Sequence, residues 1–73
     1  MKSYNGYRSW NAWNVSLWIN NDEVLYNHAR NLVIDKGVHR AARILLSELK
    51  GNRTPDGADY NLKSIYSAIV NII

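Results

Sequence analysis

Between Gly37 and Gly51 the apolar residues fall at Val38, Ala41, Ala42, Leu45, Leu46 and Leu49. Steps of three and four put all six side chains on one face of an α-helix, and a strand with its period of two cannot bury them together. The rest of the chain must therefore supply an apolar surface for this stripe. Glycine tolerates the positive φ common just beyond a helix end, so Gly37 and Gly51 bracket a helix over about 38–50.

The other segments read as partners for that helix. Ser9 can cap a first helix over about 9–20, because its hydroxyl can accept an orphan backbone N–H. Trp10, Trp13, Asn14 and Leu17 recur at helical spacing, and Val15, Trp18 and Ile19 form a second stripe. Two apolar stripes place this helix at the centre, packed on both sides. The alternation in Val15-Ser16-Leu17-Trp18 suggests a strand, but the helical spacing of the tryptophans extends further. Asn20 followed by Glu23 resembles a capping box, with Asp22 and Glu23 in the positive first turn of a second helix over 21–36. Leu25, Ala29, Leu32 and Val33 face inward there. Thr54-Pro55-Asp56-Gly57 has Pro and Gly at turn positions within a 51–60 loop. A fourth helix over 61–72 presents Leu62, Ile65, Tyr66, Ile69 and Ile72 or Ile73. Residues 1–8, with the Asn5-Gly6 turn pair, form an irregular arm. The expected fold is all-α: one domain, a compact bundle of about four short helices.

At 73 residues the chain is near the lower limit for independent folding. It has no cysteine, so neither a disulfide nor a thiolate metal site can help. It carries three Trp and five Tyr but no Phe. Trp and Tyr bury large areas while needing a partner for their polar tips, which also suits interfaces. A homodimer or a bound partner would supply burial that one copy cannot. Within the chain, Trp13, Asn14, Leu17, Trp18, Leu25 and Leu45 are the expected structural core. A buried Asn14 amide must find partners, and the irregular N-terminal segment is the expected one.

Charge is unevenly placed. The net charge is +3, and residues 36–50 alone carry that excess, with Lys36, Arg40, Arg43 and Lys50 against Glu48. On a helical wheel Lys36, His39, Arg40, Arg43, Ser47 and Lys50 share an arc of about 100°. Such a face is either solvated or meets phosphates or an acidic protein surface. The second helix, Gly37 and the third helix also suggest a helix-turn-helix, although the turn is very short and no Gln, Asn or Ser opens the third helix to read bases. His39, Arg40 and Arg43 are the side chains available for that work. Catalysis has little support. His28 and His39 are the only histidines, with no carboxylate at zinc-ligand spacing, and no nucleophile–base pair can be named. No cofactor or metal is expected. No apolar run reaches the ~20 residues of a membrane span, and no hydrophobic signal core follows the start. The chain reads as cytoplasmic.

The run Tyr4-Asn5-Gly6-Tyr7-Arg8-Ser9-Trp10-Asn11-Ala12-Trp13-Asn14-Val15-Ser16-Leu17-Trp18-Ile19-Asn20-Asn21-Asp22-Glu23, followed by Leu25-Tyr26, covers about a third of the chain. It resembles a signature of small proteins of phages, plasmids and related mobile elements. There a Gly-aromatic start leads to a Trp-Asn-Val-x-Leu-Trp core and an Asn-Asp-Glu helix start. Ser9-Trp10-Asn11-Ala12 stands where a more polar Thr-Asn-x-Glu start is expected, which makes Trp10 a local feature. The resemblance implies origin more than mechanism. Small proteins of this kind often occlude a host enzyme, including CRISPR effectors and restriction enzymes. It implies a non-catalytic inhibitor acting in the host cytoplasm on a host protein or nucleoprotein complex. The expected contact residues are an aromatic anchor at Tyr4, Tyr7 and Trp10, with a charged rim at Arg8, Lys36, His39, Arg40, Arg43 and Lys50. A DNA-binding regulator using helix 38–50 and a homodimeric assembly protein are the alternatives.

Overall fold

The computed structural model describes residues 6–73. Four helices follow one another: α1 (Trp10–Asn21), α2 (Glu23–Lys36), α3 (Val38–Leu49) and α4 (Leu62–Ile69). Among the described residues there is no strand; an isolated bridge joins Arg53 and Asp59 in the α3–α4 loop. The all-helical bundle expected from the apolar spacing is the fold. Tyr4 lies outside the described residues.

Single residues make the first two joints. The Ser9 hydroxyl accepts from the Ala12 N–H and starts α1. Asp22 ends α1 by donating its N–H to the Trp18 carbonyl, and its carboxylate accepts from the Leu25 N–H to start α2. Asn20 is therefore not the cap. It continues α1, and its side chain donates to the Ser16 carbonyl. An ionised carboxylate suits the positive end of a helix better than an amide, so Asp22 takes that place. Gly37, at φ +87°, joins α2 to α3 in one residue. Asn61 caps α4 through the Ser64 N–H.

The helices close a ring in chain order. α1 packs most extensively on α4, α2 on α3, and α3 on α4, while α1 and α3 stand diagonally and do not pack on each other. The expectation of a central α1 is corrected by this arrangement. Its core face is Ala12, Val15, Ser16 and Ile19, a single stripe. Trp13, Leu17 and Trp18, expected in the core, are only half-buried on its flanks, as is Leu25 at the start of α2. The centre is filled instead by Val15, Ile19, Ala29, Ala41, Leu45, Ile65 and Ile69. Small and β-branched residues allow four short helices to approach closely, whereas an indole is too large for that space. The radius of gyration, 11.3 Å, matches the ~11 Å of a compact 73-residue domain. One copy closes its own core.

Among the described residues no helix is long and apolar enough to cross a membrane.

Candidate functional site

The flank of α1 that carries Asn11, Asn14 and Trp18 faces the 51–60 loop. Asn14, 1% exposed, donates from Nδ2 to the Asp56 carboxylate at 2.9 Å and accepts from the Thr54 hydroxyl at 2.6 Å. The Trp18 indole N–H donates to the same Asp56 oxygen at 2.9 Å. One turn earlier, Asn11 donates to the Asp59 carbonyl and to Ser64 Oγ, and accepts from the Asp59 N–H. Within the loop, Gly57 N–H closes the turn on the Thr54 carbonyl, and Thr54 Oγ1 accepts from Ala58 N–H. Ala58 is thereby pressed into the core, fully buried. The Asn14 and Trp18 hydrogen bonds, in that order, hold the Asp56 carboxyl below its ordinary pKa of 3.8, against a smaller upward push from desolvation. Among the described residues, Asn14 thus ties α1 to this loop. The Tyr7 hydroxyl, just before α1, lies 2.6 Å from Ser16 Oγ.

These contacts absorb much of the distinctive Trp/Asn segment into architecture. No buried side-chain polar atom among the described residues lacks a partner.

The opposite situation holds where α1 and α3 flank α4 without meeting. An open groove of about 740 Å³ lies there. Arg8, Ser9 and Asn11 line it from the start of α1, His39, Ala42 and Arg43 from α3, and Asn61, Lys63, Tyr66 and Ser67 from the start of α4. A second hollow of about 430 Å³ adjoins it, shares Arg8, Tyr66 and Ser67, and is lined further by Tyr7 and Val70. No carboxylate lines either hollow. Arg8, Arg43 and Lys63 are exposed, and among the described residues none of them forms an ion pair. The amino ends of α1 and α4, with no acid in the first turn of either, add partial positive charge. His39 stacks on Tyr66, with ring centroids 5.1 Å apart and planes 25° from parallel.

Of the residues expected at a binding surface, the fold brings Arg8, His39 and Arg43 into this groove. Tyr7 lines the adjoining hollow, half-buried. Arg40 on α3 and Lys50 at its C-terminal cap are exposed but line neither hollow, and Lys36 is exposed but lies 3.3 Å from Asp35. Trp10 is 39% exposed at the head of α1 and lines neither hollow. Lys63 and Tyr66 are among the groove residues that the sequence reading did not assign to binding. Lys63 carried a usable signal: a cation in the first turn of a helix, with no acid beside it, opposes the helix dipole.

Acids and bases are treated differently across the molecule. Asp22 caps α2, Asp35 pairs with Lys36, Glu48 with His28 at 2.7 Å, Asp59 with Arg53 at 3.2 Å, and Asp56 takes the two hydrogen bonds above. Glu23 occupies the first turn of α2. Among the described residues, the cations without an ion-pair partner are Arg30 on α2, Arg40 and Arg43 on α3, Lys50 at the end of α3, and Arg8 and Lys63 at the groove, while Glu23 is an acid without one. Among the described residues, no group of three or more His, Cys, Asp or Glu side chains is placed to hold a metal.

A family model described as a family of unknown function (DUF7249) matches residues 1–73. No curated protein and no solved structure matches the chain.

Proposed function

We propose that this chain, which belongs to the DUF7249 family along its whole length, is a non-catalytic interaction protein whose working surface is the cationic face of α3 with its adjoining groove. Arg8, Arg40, Arg43, Lys50 and Lys63 project from that surface without an ion-pair partner among the described residues, and this observation carries the reading. A concentration of unpaired cations attracts an anionic surface and speeds encounter with it. The resemblance of residues 4–26 to mobile-element proteins supplies the kind of partner: a host complex that handles nucleic acid, such as a CRISPR effector or a restriction enzyme. Inhibition is by occlusion. The protein sits where the host complex would otherwise hold its own anionic ligand or subunit.

The reading is tested by producing the chain in bacteria that restrict an infecting phage, and measuring plating efficiency. Plating should rise with the wild type and fall back with the Arg8→Ala/Arg43→Ala/Lys63→Ala variant. Unchanged plating against both a restriction system and a CRISPR system sinks it.

A second reading is a duplex-DNA regulator using α3. It is favoured by the exposed Arg40 and Arg43 of α3 and Lys50 at its end, from which Glu48, the one acid of α3, is turned aside to His28; Lys36 stands on α2, across the Gly37 joint, and pairs with Asp35. It predicts duplex affinity that drops steeply with salt, by about 0.9 log units per log unit for each phosphate neutralised. Arg40→Ala/Arg43→Ala should remove most of that affinity.

A further inference from the structure

The two adjoining hollows have a chemistry more particular than a positive face, and we infer that they hold a single-stranded nucleic acid. This assignment rests on the cationic surface proposed above but not on the identity of any host complex.

Three observations converge. First, Arg8, Arg43 and Lys63 reach the groove from the segment before α1, from α3 and from α4, so the cations surround a concavity and do not lie along one line. A duplex presents a stiff convex backbone, which suits the open stripe of α3 better than this recess. A single strand bends its phosphates inward to meet such a cluster. Second, the groove offers aromatic surface next to the cations. His39 stacks on Tyr66 and is exposed at the groove wall, so the pair offers aromatic surface to a base. Base stacking on such platforms tolerates any sequence, because every base has a π-face. Third, the groove does not stop at one ligand-sized hollow. A second hollow adjoins it, with Arg8, Tyr66 and Ser67 shared between the two walls, and its own wall includes Tyr7. A phosphate-spaced polymer can reach both hollows, whereas a lone small anion cannot. The absence of any carboxylate in the walls removes the repulsion a polyanion would otherwise meet.

The experiment is fluorescence anisotropy with the full chain and three labelled probes: a 12-nucleotide oligothymidine, a hairpin duplex of equal charge, and a poly-glutamate peptide. Titrations run over several salt concentrations. Oligothymidine should bind most tightly, with a log–log salt slope of about −2 for three phosphates at ~0.7 each. Arg8→Ala/Arg43→Ala/Lys63→Ala should weaken it at least tenfold and flatten the slope. Arg30→Ala, an exposed cation of α2 that lines neither hollow, should leave most of the affinity. His39→Ala should weaken binding by roughly tenfold without changing the slope, the signature of lost stacking. All these positions are exposed, and a circular-dichroism melt confirms that each variant folds. Three outcomes overturn the assignment: duplex bound as tightly as the single strand, poly-glutamate bound as tightly, or no oligothymidine binding at low salt. If oligothymidine binds while plating of a restricted phage is unaffected, the groove assignment stands and the defence-blocking function falls. The converse result separates them the other way.

Discussion

The clasp between α1 and the 51–60 loop and the groove between α1, α3 and α4 are built from similar materials, namely amides, hydroxyls, aromatic rings and charges. In the clasp, each of Asn11, Asn14 and Trp18 ends on a named partner in the loop, on Asp56, Asp59 or Thr54. In the groove, three cations face a concavity without an ion-pair partner among the described residues. A polar group whose bonds are complete inside the fold has its structural role accounted for. A charge held at the rim of a hollow with no internal partner contributes little to folding and remains available. The distinction turns on whether the group is satisfied, not on how unusual the residue looks in sequence. The Trp/Asn segment looks most unusual and serves mostly the fold. Lys63 looks ordinary and stands in the groove.

The scale for any test is set by the core beneath the basic face. Leu45 is fully buried on the inner side of α3. Leu45→Ala should cost about 2–5 kcal/mol, a large part of the roughly 4–11 kcal/mol expected for a domain of this size. Urea denaturation measures it. A cost below 1 kcal/mol would show that the ring of helices is looser than its packing implies.

The clasp should come next. Asn14→Ala removes a buried amide and leaves the buried Thr54 hydroxyl without its acceptor, for about 2–3 kcal/mol and a fall in Tm on the order of 10–20 °C. Thr54→Val made in that background should cost less than it does alone, because the two side chains share one bond. Equal costs in both backgrounds would mean that the clasp does not act as a unit. Binding to the groove, measured well below the lowered Tm, should survive both changes.

The division between what could and could not be read in the sequence follows the same line. Helix number, the Ser9 start, the Gly37 and Gly51 stops and the Thr54–Gly57 turn are local matters of period and capping, and they were legible. So were the buried face of α3 and part of that of α4, because 3.6-residue spacing identifies a stripe without knowledge of its partner; Leu62, expected inward, is instead exposed in the groove wall, because α1 and α3 do not meet over the start of α4. The neighbours of Asn14 lie 40 and 42 residues away, and no local pattern connects them. For the same reason the half-burial of Trp13 and Trp18 was missed: an indole reads as core until the packing shows that alanines and branched residues occupy the centre. The groove was half legible. Arg43 and His39 stood out as part of a stripe, but only the diagonal placement of α1 and α3 joins them to Arg8 and Lys63.

The charge in the clasp gives a pH test. Asp56 has its pKa lowered in the folded protein by the Asn14 and Trp18 hydrogen bonds. A depressed carboxylate contributes stability above its unfolded value, and that contribution is lost as pH falls through the folded value. Asp56→Asn should therefore lower the urea midpoint at pH 7. The gap from wild type should narrow below pH 3.8, as the carboxylate that makes the difference is protonated. A gap unchanged down to about pH 2.5 would remove the charged form of Asp56 from the clasp.

The smallest expected change is the sharpest test of the comparison. Arg43 is exposed and belongs to no ion pair among the described residues. Arg8 and Lys63 stand at the same groove, so removing one positive charge relieves repulsion as well as losing a solvated side chain. Arg43→Ala should leave stability within about 0.5 kcal/mol of wild type, on the favourable side at low salt, where repulsion is least screened. Under the same conditions binding of an anionic ligand in the groove should fall. A change in binding without a change in stability separates a working residue from an architectural one, the reverse of the pattern expected at Asn14. If Arg43→Ala instead destabilised the fold by 2 kcal/mol or more, well outside the ~0.5 kcal/mol of an ordinary exposed site, the guanidinium would be holding α3 in place. The groove would then be built on the same principle as the clasp, and its cations would lose their claim to be free for a partner.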